Sequence, residues 1–105
     1  MKSNLGIGLT TCQSKESAIT LIRSLLAKQL IVCGQIEGPI ISMYSWEGKF
    51  TQETEWRVVL KYKKINCSEL TTAIKLEHSY EIPQWVYWEV ESTNEYLKWA
   101  NNPLP

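Results

Sequence analysis

Met43-Tyr44-Ser45-Trp46-Glu47-Gly48-Lys49 is the stretch that decides the fold. It reads as the bend of a hairpin running from Ile36 to Lys63, with Gly48 free to take the positive φ that a tight turn needs. On the return arm Trp56, Val58, Leu60 and Tyr62 alternate with Glu55, Arg57, Val59 and Lys61, giving one apolar face and one mixed face. Each arm is about twice the usual strand of roughly five or six residues. At roughly 3.3 Å per residue, an arm of about eleven residues spans ~36 Å, whereas a domain of this length has a radius of gyration of only ~13 Å. The hairpin is therefore expected to project past its own domain. Such a projection needs a partner surface, and that points to a subunit of an oligomer.

Working outward, Ile31 to Met43 reads as a long strand, with a bulge or bend expected at Glu37-Gly38-Pro39. Before it, Ser14 is placed to cap a helix whose apolar face is Ala18, Ile22, Leu25, Leu26 and Leu30, ending near Gln29. Leu5 to Thr11 alternates apolar residues with glycine and threonine and suits a first strand. Beyond the hairpin, Asn66-Cys67-Ser68-Glu69 resembles a capping box for a short helix carrying Leu70, Ala73 and Ile74. Tyr80 to Pro83 reads as a loop, Trp85 to Val90 as a fourth strand, and Asn94 to Ala100 as a final helix stopped by Pro103. The order β-α-β-β-α-β plus a C-terminal helix predicts an α+β, ferredoxin-like antiparallel sheet with its helices on one face. Residues 1–105 read as a single domain.

The 105 residues include 11 basic and 11 acidic side chains, scattered rather than blocked. No basic stripe suggests nucleic acid, and a membrane surface is equally poorly supported. The first nine residues lack a long apolar run, so the expected location is cytoplasmic. Cys12, Cys33 and Cys67 are widely spaced and odd in number, which argues against a disulfide framework and a zinc CxxC pair. They read as small apolar fillers.

His78 is the only histidine and is flanked by Glu77 and Glu81. It is a candidate metal ligand or acid–base group; the plainer reading is a loop histidine bonded to the backbone or to solvent. No Ser/His/Asp order, P-loop or HExxH accompanies it, and Gly6-x-Gly8 is too short for a dinucleotide fingerprint. No enzymatic role is expected. Of the five tryptophans, Trp46 joins Tyr44 as a candidate interface residue, while Trp56 and Trp88 are expected in the core. Glu53 and Glu55 are expected to meet Lys or Arg side chains across the hairpin. Lys61 and Arg57 are candidates for binding an anion or pairing with Glu53, with a solvated strand face as the plainer outcome.

Tyr44-x-Trp46-x-Gly48-Lys49, followed at distance by His78-Ser79-Tyr80-Glu81-Ile82-Pro83, resembles the CutA divalent-cation tolerance family. The resemblance runs from Leu9-Thr10-Thr11 to Tyr96-Leu97-x-Trp99, nearly the whole chain. It implies a ferredoxin-like fold and a tight homotrimer, similar to PII signalling proteins, in which long hairpins extend onto neighbouring subunits. It also implies a role in tolerance of copper and other divalent metals, with a cation held weakly at the clefts between subunits. The metal group proposed in some members falls here on Thr10, His78 and Gln84, of which only His78 matches; Cys12 is a substitute for the first. Ser79 replaces the usual proline. The family's shared cleft residues fall on Tyr44, Trp46, Lys49, Lys61, His78, Tyr80 and Glu81. The alternative reading is a PII-like regulatory trimer that senses a small anionic metabolite or serves as a protein-interaction scaffold.

Overall fold

A computed structural model describes residues 4–102, which form four strands and three α-helices. Strand β1 (Leu5–Cys12) leads to helix α1 (Lys15–Ala27), then to the hairpin strands β2 (Cys33–Trp46) and β3 (Lys49–Lys63). A 3-10 turn (Lys64–Asn66), helix α2 (Cys67–Glu77), strand β4 (Val86–Val90) and helix α3 (Asn94–Asn101) complete the chain. The antiparallel sheet has the order β2-β3-β1-β4, the ferredoxin-like arrangement. Pro103, read as the stop of the last helix, lies outside the described residues.

Local chemistry accounts for the element boundaries. Ser14 caps α1 reciprocally with Ser17: Ser17 N–H donates to Ser14 Oγ at 3.0 Å, and Ser14 N–H donates to Ser17 Oγ at 3.3 Å. At the other end Gln29 takes φ 58°, with Gln29 N–H donating to Leu26 O and Leu30 N–H to Leu25 O. That is a Schellman closure. It turns Leu30 and Ile31 back into the core, so β2 starts at Cys33 rather than Ile31. The buried stripe of α1 is Ala18, Leu21, Ile22 and Leu25; Leu26, expected in it, lies 43% exposed. Asn66 does not cap α2: its side chain donates to Gln29 O at 3.3 Å instead. The 3-10 turn before α2 has already fixed the backbone there, which leaves the amide free to tie the two helix ends together.

Cross-strand register sorts the sheet into two faces. Gly6, Gly8, Thr10 and Cys12 of β1 lie opposite Tyr62, Leu60, Val58 and Trp56 of β3. This face carries the core with α1 and α2, where Val58, Leu60, Leu70 and Ile74 are fully buried. The glycine at position 8 is required by a close approach, since a Cβ there would sit 2.0 Å from the Trp85 ring. The apolar residues of β1 thus point the other way. Ile7 and Leu9 oppose Lys61 and Val59 on one side and Trp88 and Val86 on the other. Trp88, expected in the core, is 48% exposed on this open face, because Ile7, its register partner, faces away from both helices.

The hairpin projects as expected. β1 covers β3 only from Trp56 to Lys63, leaving the outer half of the hairpin beyond the sheet. The molecule measures 46 × 27 × 23 Å. Glu47 and Gly48 both have positive φ, 52° and 77°, as a two-residue type I′ turn demands.

Candidate functional site

The site begins with the bulge. β2 pairs Glu37 with Arg57 and Ile40 with Glu55, so Gly38 and Pro39 together oppose Trp56 alone. Pro39 has no N–H to offer, which suits an edge strand. The extra residue reverses the alternation of everything beyond it. Ser42, Tyr44 and Trp46 therefore join Glu53, Thr51 and Lys49 on the open side of the hairpin. Without the bulge, Ile41 and Met43 would occupy that side.

Across from this surface the loop after α2 brings Tyr80 and Glu81. Between them lies a cavity of about 780 Å³ whose lining includes Tyr44, Trp46, Glu53, Glu55, Tyr80 and Glu81. Glu55 is only 6% exposed and is the anchor of the wall. Its Oε2 accepts the Tyr80 hydroxyl at 2.6 Å. Burial alone would raise its pKa, but hydrogen bonds from Ser42, Tyr80 and Thr11 outweigh that and hold the carboxyl below its ordinary value. Tyr44 donates to Glu53 Oε1 at 2.8 Å, and the same bond raises the Tyr44 phenol. Glu53 and Glu55 therefore meet tyrosines, not the Lys or Arg partners expected of them. Arg57 instead stands 3.8 Å from Glu37.

Lys61 is not part of this cavity. Its ammonium donates to Gln35 Oε1 at 3.1 Å, across β2 and β3. Lys49 sits at the turn opposite Trp46 and does not line the cavity either. Gln84 lines it, whereas Thr10 lies behind it against His78. The described lining contains three glutamates and no lysine, arginine or histidine.

His78 sits behind the cleft, where β1 ends. Its Nδ1 accepts the Tyr80 backbone N–H at 3.0 Å, and its Nε2 lies 2.8 Å from the Thr11 carbonyl and 3.1 Å from Thr10 Oγ1. Burial lowers the His78 pKa; the Thr11 bond and the Glu55 charge oppose it without prevailing. The ring is therefore held neutral at neutral pH. Cys12 Sγ is 4.0 Å from Nε2, and burial pushes its thiol pKa up.

As placed, these residues do not fit a divalent-metal centre. A histidine ligates through a ring lone pair, and a cysteine through its thiolate. The Nδ1 lone pair is occupied by an amide proton that, once buried without a partner, would cost about 1–3 kcal/mol. Among the described residues no three His, Cys, Asp or Glu side chains are grouped so as to hold an ion. The neighbouring Glu77, flanking His78 in sequence, is turned to Ser24 and Lys28.

Fold and cleft together define a class: a ferredoxin-like α+β chain with an over-long β-arm and an acidic, aromatic-walled cleft at the arm's base. Residues 7–103 match the family of CutA1 divalent ion tolerance proteins. The Pyrococcus horikoshii divalent-cation tolerance protein CutA is 35% identical over 91 residues, 86% of this chain and 88% of that one. A CutA homolog from Xenopus laevis is 28% identical across all of this chain and 70% of its own length. The crystal structure of CutA1 from Ehrlichia chaffeensis superposes with a TM-score of 0.91 at 27% identity, covering 97% of this chain and 95% of that one. The chain belongs to the CutA divalent-cation tolerance family. No helix of the described residues is long and apolar enough to cross a membrane.

Proposed function

We propose that this chain works as a homotrimer in divalent-cation tolerance, in a binding rather than a catalytic role, and that the acidic cleft is where it meets a cation. The observation that carries the trimer is the uncovered apolar surface. Val86 and Trp88 on the open face, and Ile41, Met43 and Phe50 on the projecting arm, are all about half exposed or more. Large apolar side chains exposed on two separate surfaces of one chain mark places where partners dock, and burying them at ~25 cal/mol per Å² would stabilise an assembly. Two like chains beside each subunit offer the matching surfaces, as the family resemblance implies.

The sign of the cleft favours a cation over a small anion. Glu53, Glu55 and Glu81 lie in one lining, while Lys61 is engaged by Gln35. Three carboxylates facing one cavity repel a small anion and attract a cation. Because the carboxylates are not grouped as a chelate, the expected binding of copper or another divalent ion is weak, through hydrated contacts. A cytoplasmic setting is supported by three cysteines that are all unpaired; recovery from a periplasmic or secreted fraction would count against it.

The test of the cleft is thermal. With Cu²⁺ or Zn²⁺ at ten times its Kd, a single site stabilises by about 1.4 kcal/mol. The expected result is a rise in Tm that Glu53→Gln and Glu81→Gln abolish. No rise at millimolar metal would remove the cation reading of the cleft.

A further inference from the structure

We infer that His78 is a positioning residue, a clasp that sets the aromatic wall of the cleft, and that it does not ligate metal in this protein. Two partners of the ring have roles that admit no choice. A backbone amide only donates, so the Nδ1 that meets Tyr80 N–H at 3.0 Å carries no proton. A backbone carbonyl only accepts, so the Nε2 that meets Thr11 O at 2.8 Å carries one. Tautomer and ring orientation are thereby both determined by main chain.

Metal-bound histidines commonly donate their second ring nitrogen to a carbonyl, leaving the other for the ion. Here the first half of that pattern is present, at Thr11. The second half is taken by Tyr80. An ion at Nδ1 would have to displace the amide that starts the cleft wall. An ion at Nε2 would face the Thr11 carbonyl after losing the proton between them.

The clasp acts through its neighbour. The His78 and Tyr80 rings lie 5.0 Å apart, and the Tyr80 hydroxyl reaches Glu55. His78 thus joins three separate pieces: the end of β1, the loop after α2 and the buried carboxylate of β3. This assignment is independent of what the cleft binds and of how many chains assemble.

Because the untagged chain has one histidine, long-range ¹H–¹⁵N spectra of the ¹⁵N-labelled protein report on His78 alone. At pH 7.5 the expected pattern is a pyrrole-type Nε2 and a pyridine-type Nδ1, unchanged after a tenfold excess of Zn²⁺. An Nδ1–H tautomer, or movement of either nitrogen to a metal-coordinated shift on adding Zn²⁺, would overturn the assignment. His78→Asn supplies a second test, since its Oδ1 can accept the Tyr80 amide from roughly the Nδ1 position. It should restore the Tyr80 N–H shift that His78→Ala displaces; if both variants displace that signal equally, the clasp is wrong.

Discussion

The two faces of this sheet are built from the same strands and answer to opposite demands. On the helix side β1 contributes Gly6, Gly8, Thr10 and Cys12, small residues that let Tyr62, Trp85 and the helices approach. On the open side the same strand contributes Ile7 and Leu9, flanked by Val59, Val86 and Trp88. Bulk has been moved from the face that α1 and α2 cover to the face that they leave open, where Leu5 is buried and Ile7 and Leu9 are half-buried. A strand designed only for its own fold would show the reverse. The difference fits the proposed assembly, in which like subunits would cover the open face.

Substitutions on the two faces should separate folding from assembly. The largest effect is expected on the covered face. Leu60 is fully buried among α1 and α2 contacts, and Leu60→Ala should lower unfolding stability by about 2–5 kcal/mol in denaturant titrations. A loss under ~1 kcal/mol would mean that the helix face is not the main core.

Next comes the open face, where Trp88→Glu places a charge on a surface proposed to be covered. It should weaken each interface by on the order of 2 kcal/mol, seen as dissociation on dilution in sedimentation experiments, while circular dichroism of the subunit stays native. Unchanged assembly would mean that the open face takes no part in it.

The smallest effect expected is that of acid on the clasp. His78 has a folded pKa below its unfolded value, so the unfolded chain binds the proton more readily. Its contribution to stability is complete above about pH 6.5 and is lost as pH falls through the lower folded pKa. Glu55 and Glu77, both also lowered, then lose theirs as pH drops below 4.5, the ordinary value of each carboxyl. Stability measured against pH should thus fall in two steps, and His78→Asn should remove the first. A profile that is flat from pH 7 to 5 would contradict the buried neutral ring.

How much of this could be read in advance differs by region. The hairpin was legible because Glu47-Gly48 and the alternation after Trp56 are local signals whose meaning does not depend on distant residues. The edges of α1 and β2 were less so: Gln29 in a left-handed conformation carries no compositional mark, and Ile31 looks like strand whether it lies in a ladder or under a turn. Trp88 was misplaced because apolar bulk is read as core, and only register shows that its partner is Ile7 on the bare face.

In the site, Tyr44, Trp46, Tyr80 and Glu81 were named from the family motifs and do meet, whereas Lys61 and Lys49 do not join them. Glu53 and Glu55 were seen only as cross-strand charges. Counting back from the turn sets Glu53 beside Ser42 and Glu55 beside Ile40, and that count fails by one residue only past the bulge, where Glu37 meets Arg57. What it does not show is that the loop after α2 folds back to bring Tyr80 onto Glu55. The engagement of His78 by main-chain groups is invisible in any sequence pattern, since an amide and a carbonyl occur at every ordinary position.

In the proposed trimer the open face and the projecting arm are covered by two further copies of this chain. Light scattering coupled to size exclusion, on the untagged protein at micromolar concentration, addresses it directly. The expected result is a single species of three times the 12.1 kDa chain mass. A species at the mass of one chain, with native secondary structure and no dependence on concentration, would contradict it.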